Sequence, residues 1–312
     1  RAYTITTYHH HHHPFSMICI ECGYSNIDCL YSKYKSDYIK LSVCPECNKI
    51  ADKYIEYDSV ILFLDILLLK RQAYKHLAYN LTEMEMEIGS STNFHINDNT
   101  NFKFFHTYRK LMKLIFMILS FEVYLTWANE EKLLIHSQLI NLIFNQSVVY
   151  QYLFFIIKSS LENLILNLSL QLILRLGYKW GQGPQKINGN IRDKELFGYK
   201  TSVLLVTTMV SGSIRLFHIL MFIWPYDNIY ITKPLINMIA FINIVEALRV
   251  VTSLGYVELI LSLAFSIVIR NIVSKLLLVL IVRLFLDFNF TEVYYNEMYQ
   301  LYSQIQTYIR WI

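Results

Sequence analysis

The sequence contains few charged residues, few glycines and few prolines for its length. Only 17% of the 312 residues are charged, whereas about a quarter is usual in a soluble domain. Nine glycines and five prolines exclude a low-complexity or collagen-like chain. The net charge of +4 is small and the basic residues are scattered between apolar runs, so nucleic acid is not expected as a partner. With 54% hydrophobic residues, the composition indicates a membrane protein.

Sequence signatures of common catalytic sites are also missing. The chain has no HxxxD or HExxH pair, no GxSxG nucleophile elbow and no GxxxxGK[ST] phosphate loop. Its isolated histidines, such as His106, His136 and His218, are more typical of structural positions than of a general base. We therefore predict that the protein is not an enzyme.

All five cysteines lie before residue 48, and four of them form two CxxC pairs. Cys19–Cys22 and Cys44–Cys47 are separated by 21 residues, one more than the usual spacing of about 15–20 in such pairs. Four thiolates can close a tetrahedral shell around one Zn²⁺ with no open position, which predicts a structural site. The alternatives are a disulfide within each pair or a redox CxxC, although a thioredoxin-like protein carries a single such motif. Cys29 is interpreted as a spare thiol.

The cysteines define an N-terminal zinc ribbon over residues 17–53. The alternating pattern from Tyr31 to Leu41 predicts short β hairpins between the two pairs. Residues 1–16, with His9–His13, are interpreted as a tag-like or upstream segment. Met17 looks like a natural start, and no secretory signal peptide is expected before it.

Residues 54–80 are predicted to form an adjoining amphipathic helix. Val60–Leu69 is apolar except at Asp65. Ten helical residues reach about 15 Å, half of a hydrocarbon core, so the element cannot span a bilayer. Polar residues seven positions apart would form one stripe: Asp58, Asp65 and Gln72. Cationic residues that follow are expected to meet lipid headgroups: Lys70, Arg71, Lys75 and His76. Burial of this helix against a transmembrane bundle is the alternative interpretation.

A linker over residues 81–110 precedes a predicted transmembrane bundle over residues 111–285, and residues 286–312 form a C-terminal tail. Four to five spans are expected: Leu111–Trp127, Val148–Leu174, Ser202–Trp224, Leu235–Leu254 and Tyr256–Val282. Lys and Arg are concentrated in the first 110 residues and in residues 175–200. The positive-inside rule therefore places the ribbon and the 175–200 loop in the cytosol.

Polar side chains inside the predicted spans are candidates for function. Lys158 and Glu162 are one helical turn apart, and Glu246 and Arg249 have similar spacing. Four asparagines could form interhelical hydrogen bonds: Asn163, Asn167, Asn237 and Asn243. These residues could line a pathway for a polar lipid headgroup or could simply hold the bundle together, and the second interpretation is favoured.

The N-terminal part of the chain contains five characteristic motifs: Met17-Ile-Cys-Ile-Glu-Cys22, Cys44-Pro-Glu-Cys47, Asp52-Lys-Tyr-Ile-Glu-Tyr-Asp58, Leu62-Phe-Leu-Asp-Ile-Leu-Leu-Leu-Lys70 and Ala73-Tyr-Lys-His-Leu77. These motifs resemble the Arv family of endoplasmic-reticulum lipid-homeostasis proteins. The similarity to the fungal form continues through Leu119–Trp127, Ile219–Asp227 and Glu246–Thr252. The family's zinc ligands correspond to Cys19, Cys22, Cys44 and Cys47.

The resemblance implies a multi-pass membrane protein of the endoplasmic reticulum, and of the Golgi as a further location. It implies roles in sterol transport, sphingolipid homeostasis and the synthesis of glycosylphosphatidylinositol (GPI) anchors. The expected partners are sterol, sphingolipid and GPI intermediates, together with GPI-synthesis enzymes. We expect a lipid presenter or scaffold. The alternatives are an integral-membrane lipid-modifying enzyme and an adaptor that recruits GPI-synthesis enzymes through its ribbon.

Overall fold

The structure is a computed structural model that describes seven stretches of the chain: residues 17–33, 38–84, 109–132, 136–180, 193–217, 229–286 and 288–311. Within these ranges the chain is mostly helical and contains one two-stranded sheet. It divides into two compact units. Unit 1 takes its described residues from Arg1–Ile115, Lys179–Ile214 and Met238–Gly255, and unit 2 from Phe116–Tyr178, Arg215–Asn237 and Tyr256–Ile312.

The ribbon has the short antiparallel hairpin that the alternating sequence predicted. Strand β1 (Tyr31–Lys33) pairs with β2 (Ile39–Leu41), with Tyr31 opposite Leu41. Two isolated bridges, Met17 with Ile27 and Val43 with Ile50, fasten the ends of the fold. The core is small: Met17, Cys19, Ile27, Leu30, Cys44 and Ala51. So little apolar burial rarely stabilises a domain without a metal or disulfides.

The segment predicted as one amphipathic helix is broken into several pieces. A 3₁₀ turn (Lys53–Ile55) is followed by helix α1 (Ser59–Leu67), α2 (Arg71–Lys75) and a π-helix (His76–Leu81). Leu69 ends α1 because its backbone is in the left-handed region, with φ of 58°. The chain then reverses, and we call residues 59–81 the helical hairpin. Gln72 therefore lies on a different helix from Asp65, and the single polar stripe predicted through both residues is wrong.

Unit 1 adds two longer helical segments to the ribbon and the helical hairpin. These are α6 (Asp193–Gly212), which is followed by a 3₁₀ turn (Ser213–Phe217), and the second half of α7 (Ile229–Thr252). The π-helix and α1 both contact α6. The helical hairpin is therefore packed within a helical unit and is not an isolated appendage.

Unit 2 is a helical assembly in which α5 and α8 pack along each other. Its elements are α3 (Arg109–Glu131, from Phe116 onward), α4 (Gln138–Phe144), α5 (Val148–Gly177), α8 (Tyr256–Arg283) and α9 (Phe290–Trp311). Helix α9 contacts both α8 and α4. The core is apolar and centred on Phe155, Leu278 and Val279.

Three helices in the described part of the chain are long and apolar enough to cross a membrane: Val148–Gly177, Leu235–Thr252 and Tyr256–Arg283. They agree with three of the predicted spans. The run Leu111–Trp127 lies within α3, which is helical but does not meet the criteria for a span. The predicted span Ser202–Trp224 begins in α6 and continues into residues 218–228, which lie outside the described residues. The apolar helices indicate a membrane protein.

Candidate metal centre and its junction with the helical hairpin

The two CxxC pairs form turns with the same backbone hydrogen bonds. In the first, the Cys19 N–H donates to the Tyr24 carbonyl and the Gly23 N–H donates back to Cys19, at 2.8 and 2.9 Å. In the second, Cys44 and Asn48 make the equivalent bonds at 2.8 and 3.0 Å. Gly23 and Asn48 both have positive φ, 83° and 54°, a conformation that glycine and asparagine adopt most readily. The residue after each pair thus allows both cysteines of the pair to face the same point.

The four sulfur atoms converge in a geometry that fits one metal ion. All four Sγ atoms lie within 4.8 Å of one another. Across the two turns, Cys19 lies 3.8 Å from Cys47, and Cys22 lies 3.7 Å from Cys44. Thiolates bound to Zn²⁺ at about 2.3 Å in a tetrahedron are separated by about 3.8 Å. None of the five cysteines is in a disulfide, so the disulfide alternative is not the arrangement found here.

The protein environment shifts the pKa values of three of the thiols in different ways. Burial raises the pKa of Cys19 to about 12. At Cys22 a hydrogen bond from the Tyr24 backbone lowers the pKa, but burial and the Cys44 and Cys47 thiols outweigh it, so the pKa is raised. At Cys44 burial acts in the same direction, but N–H groups of Cys47 and Glu46 outweigh it and lower the pKa to about 7. A bound cation would deprotonate all four thiols.

The centre can stabilise the fold, but it offers no open coordination position for a reactant. Four thiolates complete a tetrahedral shell, whereas catalytic sites of this kind keep one position for water or substrate. Cys29 is exposed and does not belong to the four-thiol cluster. Its interpretation as a spare thiol agrees with this placement.

A buried polar network joins the ribbon to the helical hairpin. Asp52, which is fully buried, accepts a hydrogen bond from the Tyr54 N–H and binds His76 Nδ1 and Asn80 Nδ2 at 2.6 and 2.7 Å. Asn80 also pairs with both backbone groups of Ile18 at 3.0 Å. The network therefore joins the hairpin to the ribbon at Ile18, the residue before Cys19.

A second polar contact neutralises the charge on α1. Asp65 is 6% exposed and accepts a hydrogen bond from the Tyr54 hydroxyl at 2.7 Å. Burial and then Asp65 raise the pKa of Tyr54, so this hydroxyl stays protonated and donates. Lys70 pairs with the other oxygen of Asp65 at 2.6 Å. The one acidic side chain in the apolar run is thus directed into the protein.

Two tyrosines attach the helical hairpin to α7. The hydroxyl of Tyr74 donates to Asn243 Oδ1 at 2.8 Å, and Asn243 in turn donates to the Ser211 carbonyl at 3.0 Å. The hydroxyl of Tyr79 donates to the Val251 carbonyl at 2.6 Å. Burial raises the pKa of both hydroxyls, that of Tyr79 to about 12, so both groups are hydrogen-bond donors at physiological pH.

The cationic residues predicted to meet headgroups are mostly engaged within the protein. Lys70 pairs with Asp65, and Lys75 lies 3.4 Å from the Glu21 carbonyl. His76 is only 4% exposed, so its predicted contact with headgroups is wrong. Arg71 is exposed, as expected.

Among the predicted intramembrane residues, Lys158 has a partner other than the one expected. Lys158 lies 3.8 Å from Glu130 of α3, a partner on another helix, instead of its neighbour Glu162. Glu246 and Arg249 are partly buried on α7 and each has an electrostatic or hydrogen-bonded neighbour. Lys158 and Glu162 belong to unit 2, and Glu246 and Arg249 belong to unit 1; a functional role for these residues stays a prediction.

Interhelical hydrogen bonding by asparagine, which the sequence predicted, is confirmed at Asn163 and Asn243. Asn163 donates to Glu122 of α3 at 2.7 Å, and the other oxygen of Glu122 lies 3.2 Å from Arg215. These contacts connect separate segments of unit 2. They favour the interpretation that polar residues hold the bundle together.

Sequence reasoning did not assign a role to Asp52 or Asn80, and it placed His76 at a surface. A usable signal was present for Asp52, which begins one of the motifs quoted above, a few residues after the second CxxC pair. His76 was assigned to a surface because it follows Lys75 in a cationic run. The burial of His76 by tertiary contacts is not encoded in that local pattern.

Comparisons with known proteins agree with these features. The chain is 99% identical over 296 residues to Protein ARV1 of Candida albicans, which covers 95% of this chain and 100% of that protein. It is 30% identical to Protein ARV1 of Saccharomyces cerevisiae, over 89% of this chain and 94% of that protein. Similarity to the human Protein ARV1 is 44% over 62 residues, 20% of this chain and 22% of that protein. No solved structure matches the chain.

The family model for the Arv1-like family matches residues 18–248, a range that includes the four cysteines, the polar junction and most of α7. With the similarity along nearly the whole of two fungal relatives, this match establishes that the chain belongs to the Arv1-like family.

Proposed function

We propose that the protein is a non-enzymatic scaffold of the endoplasmic-reticulum membrane, with its ribbon in the cytosol, that presents lipids to neighbouring enzymes. Its clients are sterol, sphingolipid and GPI intermediates, and its role is in their distribution and homeostasis. Family membership supports the lipid role, and the names of the relatives do not specify the mechanism.

The observation that carries the scaffold proposal is the Asp52–His76–Asn80 network. It joins a closed metal centre, which has no reactive position, to helices that contact α6 and α7. A rigid junction between a water-soluble domain and a membrane unit is better suited to presenting lipids or recruiting partners than to catalysis.

We assign Zn²⁺ to the centre. Its preference for four thiolates in a tetrahedron matches the sulfur separations near 3.8 Å. Bound there, the ion supplies folding free energy to a ribbon whose core is too small to fold alone.

Replacement in cells that lack their own family member tests the proposal. The wild-type chain, Cys44→Ser and the matched control Cys29→Ser are compared for sterol distribution and for the surface level of GPI-anchored proteins. Cys29→Ser should restore both, and Cys44→Ser should restore neither. Full restoration by Cys44→Ser at normal abundance would show that the metal centre and its connection to the helical hairpin are not needed for function.

A lipid-exchange assay separates two versions of the proposal. Purified full-length protein without partners is mixed with donor and acceptor vesicles that contain sterol or GPI intermediates. Transfer supports a direct carrier, whereas its absence together with restored function in cells supports a scaffold.

The competing enzyme hypothesis makes a different prediction. If Lys158, Glu162 or Glu246 performs chemistry, substitution by alanine should abolish lipid synthesis while leaving the protein abundant. Preserved GPI-anchor synthesis in all three variants would exclude it. The contact between Lys158 and Glu130 makes a structural role the expectation at that position.

The adaptor hypothesis places recruitment of GPI-synthesis enzymes on the ribbon. Full-length protein with substitutions at exposed ribbon residues, such as Glu46→Arg and Lys49→Glu, should then lose specific enzyme partners in pull-downs while keeping its metal. Unchanged recovery of those enzymes would leave the scaffold as a presenter of lipids alone.

A further inference from the structure

Helix α1 has an unusual distribution of polar and apolar side chains for a helix next to water. Its charged residue, Asp65, is buried, while four large apolar side chains of the same helix are 42–67% exposed: Val60, Ile61, Phe63 and Leu64. Leu68, just beyond the helix end, is 69% exposed. An exposed apolar face beside a shielded polar face is stable when the surrounding medium is itself apolar.

The contacts of the hairpin with α7 fix its depth along a candidate span. Tyr79 bonds Val251, near the end of the span Leu235–Thr252, and Tyr74 bonds Asn243. These two positions on α7 are eight residues apart, or about 12 Å. The carbonyl oxygen of Ile66, near the end of α1, lies 3.3 Å from the Tyr74 hydroxyl. The far end of α1 is therefore level with Asn243, well inside the span.

The turn of the hairpin has the hydrogen bonding that an apolar medium requires. The N–H groups of Leu68, Leu69 and Lys70 donate to carbonyls within α1 at 2.9–3.0 Å. The ammonium group of Lys70 pairs with Asp65, but its side chain is 47% exposed, and Arg71 beside it is also exposed. The backbone of the turn is thus satisfied internally, as it must be below the headgroups, whereas these two long cationic side chains must extend toward the headgroups.

We infer that the helical hairpin is a re-entrant element: α1 enters the hydrocarbon layer from the side of the ribbon, the chain turns at Leu68–Lys70, and α2 with the π-helix returns to the same side. The outer face of α1 lies against lipid acyl chains. The nine residues of α1 rise about 13 Å, which is the depth of one leaflet. Helix α7 also exposes apolar residues close to Asn243 in the chain, such as Ile239 and Ile242. The inference does not depend on the lipid-presenting function.

Depth-dependent fluorescence quenching tests this arrangement in the full-length protein. Val60→Cys and Leu68→Cys are made separately in a Cys29→Ser background, loaded with Zn²⁺ and labelled with one small dye per chain. The proteins are reconstituted in phosphatidylcholine vesicles whose acyl chains carry bromine either near the glycerol or near the terminal methyl. Glu56→Cys, an exposed position beside the ribbon, is the matched control.

A re-entrant hairpin predicts a gradient of quenching along α1. The dye at residue 68 should be quenched at least about twofold more by deep than by shallow bromines, the dye at residue 60 more by shallow ones, and the dye at residue 56 by neither. Equal shallow quenching at residues 60 and 68 would show a helix lying flat at the interface and overturn the inference. Absence of quenching at both would place the face outside the lipid and overturn it as well.

A second measurement covers the case in which the dye at residue 68 disturbs the fold. Retained Zn²⁺ at one ion per chain identifies folded protein, and Leu64→Cys replaces Leu68→Cys if metal is lost. In sealed vesicles, an impermeant maleimide should label residue 64 at least about tenfold more slowly than residue 56, because the reagent does not enter hydrocarbon. Equal labelling rates would contradict the inference.

Discussion

The ribbon and the helical hairpin are adjacent in the chain and differ in the side chains that they bury. The ribbon buries Met17, Ile27 and Leu30 and exposes charged residues such as Glu46 and Lys49. The hairpin does the reverse on α1, where the carboxylate is buried and the large apolar side chains are exposed. The ribbon thus has the exposed side chains expected of a domain in water, and α1 has those expected of a helix in lipid.

The change between the two patterns occurs within a few residues. Asp58 is exposed and precedes α1, whereas Val60 is already an exposed apolar residue. The polar contacts of Asp52 and Asp65 lie on either side of this boundary. A chain can therefore pass from one medium to another without a linker, provided that buried polar contacts hold both sides together.

Removal of the metal should give the largest difference in stability between the two regions. Chelation, or Cys44→Ser, removes about 10 kcal/mol or more of binding free energy that the ribbon uses to fold. We expect the ribbon to unfold while the hairpin keeps its packing on α6 and α7. Limited proteolysis should show rapid cleavage at Lys40 and Lys49, and Cys29→Ser is the control. Loss of the whole of unit 1 at the same chelator concentration would contradict this division.

Acidification should weaken metal binding steeply. Cys19 and Cys22 have raised pKa values, so both are protonated in the metal-free protein at neutral pH. Binding displaces at least these two protons, and the Kd should rise about a hundredfold for each unit fall in pH. Competition with a chelator of known proton affinity measures this slope. A Kd that stays constant between about pH 8 and about pH 6 would exclude thiolate ligation.

Breaking the junction should cost less than losing the metal. Asp52→Ala leaves the Tyr54 N–H, the His76 ring and the Asn80 amide without their acceptor, which should lower the free energy of unfolding by about 2–5 kcal/mol. Asp58→Ala is the matched control, because Asp58 is exposed and makes no side-chain cap bond. Thermal unfolding in detergent measures the difference. Equal effects of the two substitutions would remove the basis for a structural junction.

Adding charge to an exposed aromatic residue should distinguish the two media. Phe63→Lys places an ammonium group on the face of α1 assigned to lipid, at a cost of about 2–3 kcal/mol. Tyr38→Lys makes a similar change at a ribbon residue that is 75% exposed and should cost less than about 0.5 kcal/mol. Unfolding in reconstituted bilayers measures both variants. The comparison fails if the two positions tolerate lysine equally.

Removal of one hydroxyl should give the smallest effect. Tyr74→Phe leaves Asn243 Oδ1 without its donor from Tyr74 and should destabilise unit 1 by about 1–2 kcal/mol. Tyr57→Phe is the control at a residue that is 43% exposed. Hydrogen exchange along α2 should accelerate only in Tyr74→Phe. Unchanged exchange would mean that this bond does not fix the hairpin to α7.

The four-cysteine cluster was predictable because its signal is local. Two CxxC pairs at near-standard spacing specify the centre, and the strands between them follow from alternation in Tyr31–Leu41. The three apolar helices long enough to cross a membrane were predictable for the same reason, since run length alone identifies them.

The junction and the ion pairs were not predictable from local pattern. Asp52 and His76 are 24 residues apart, and Asn80 meets Ile18 across 62 residues. Lys158 forms an ion pair with Glu130 of another helix, although Glu162 lies one turn away on its own helix. The break at Leu69 is not marked by a glycine or proline in the sequence; it coincides with the ion pair between the buried Asp65 and the exposed Lys70.

Asn80 begins the sequence Asn-Leu-Thr, which is an acceptor for N-linked sugars. In the folded chain its amide nitrogen, the atom that would carry the sugar, is fully buried and donates to Ile18 and Asp52. A sugar can therefore be attached only before the ribbon has closed on the hairpin. Once attached, it would prevent that closure, so glycosylation at Asn80 and the folded junction exclude each other.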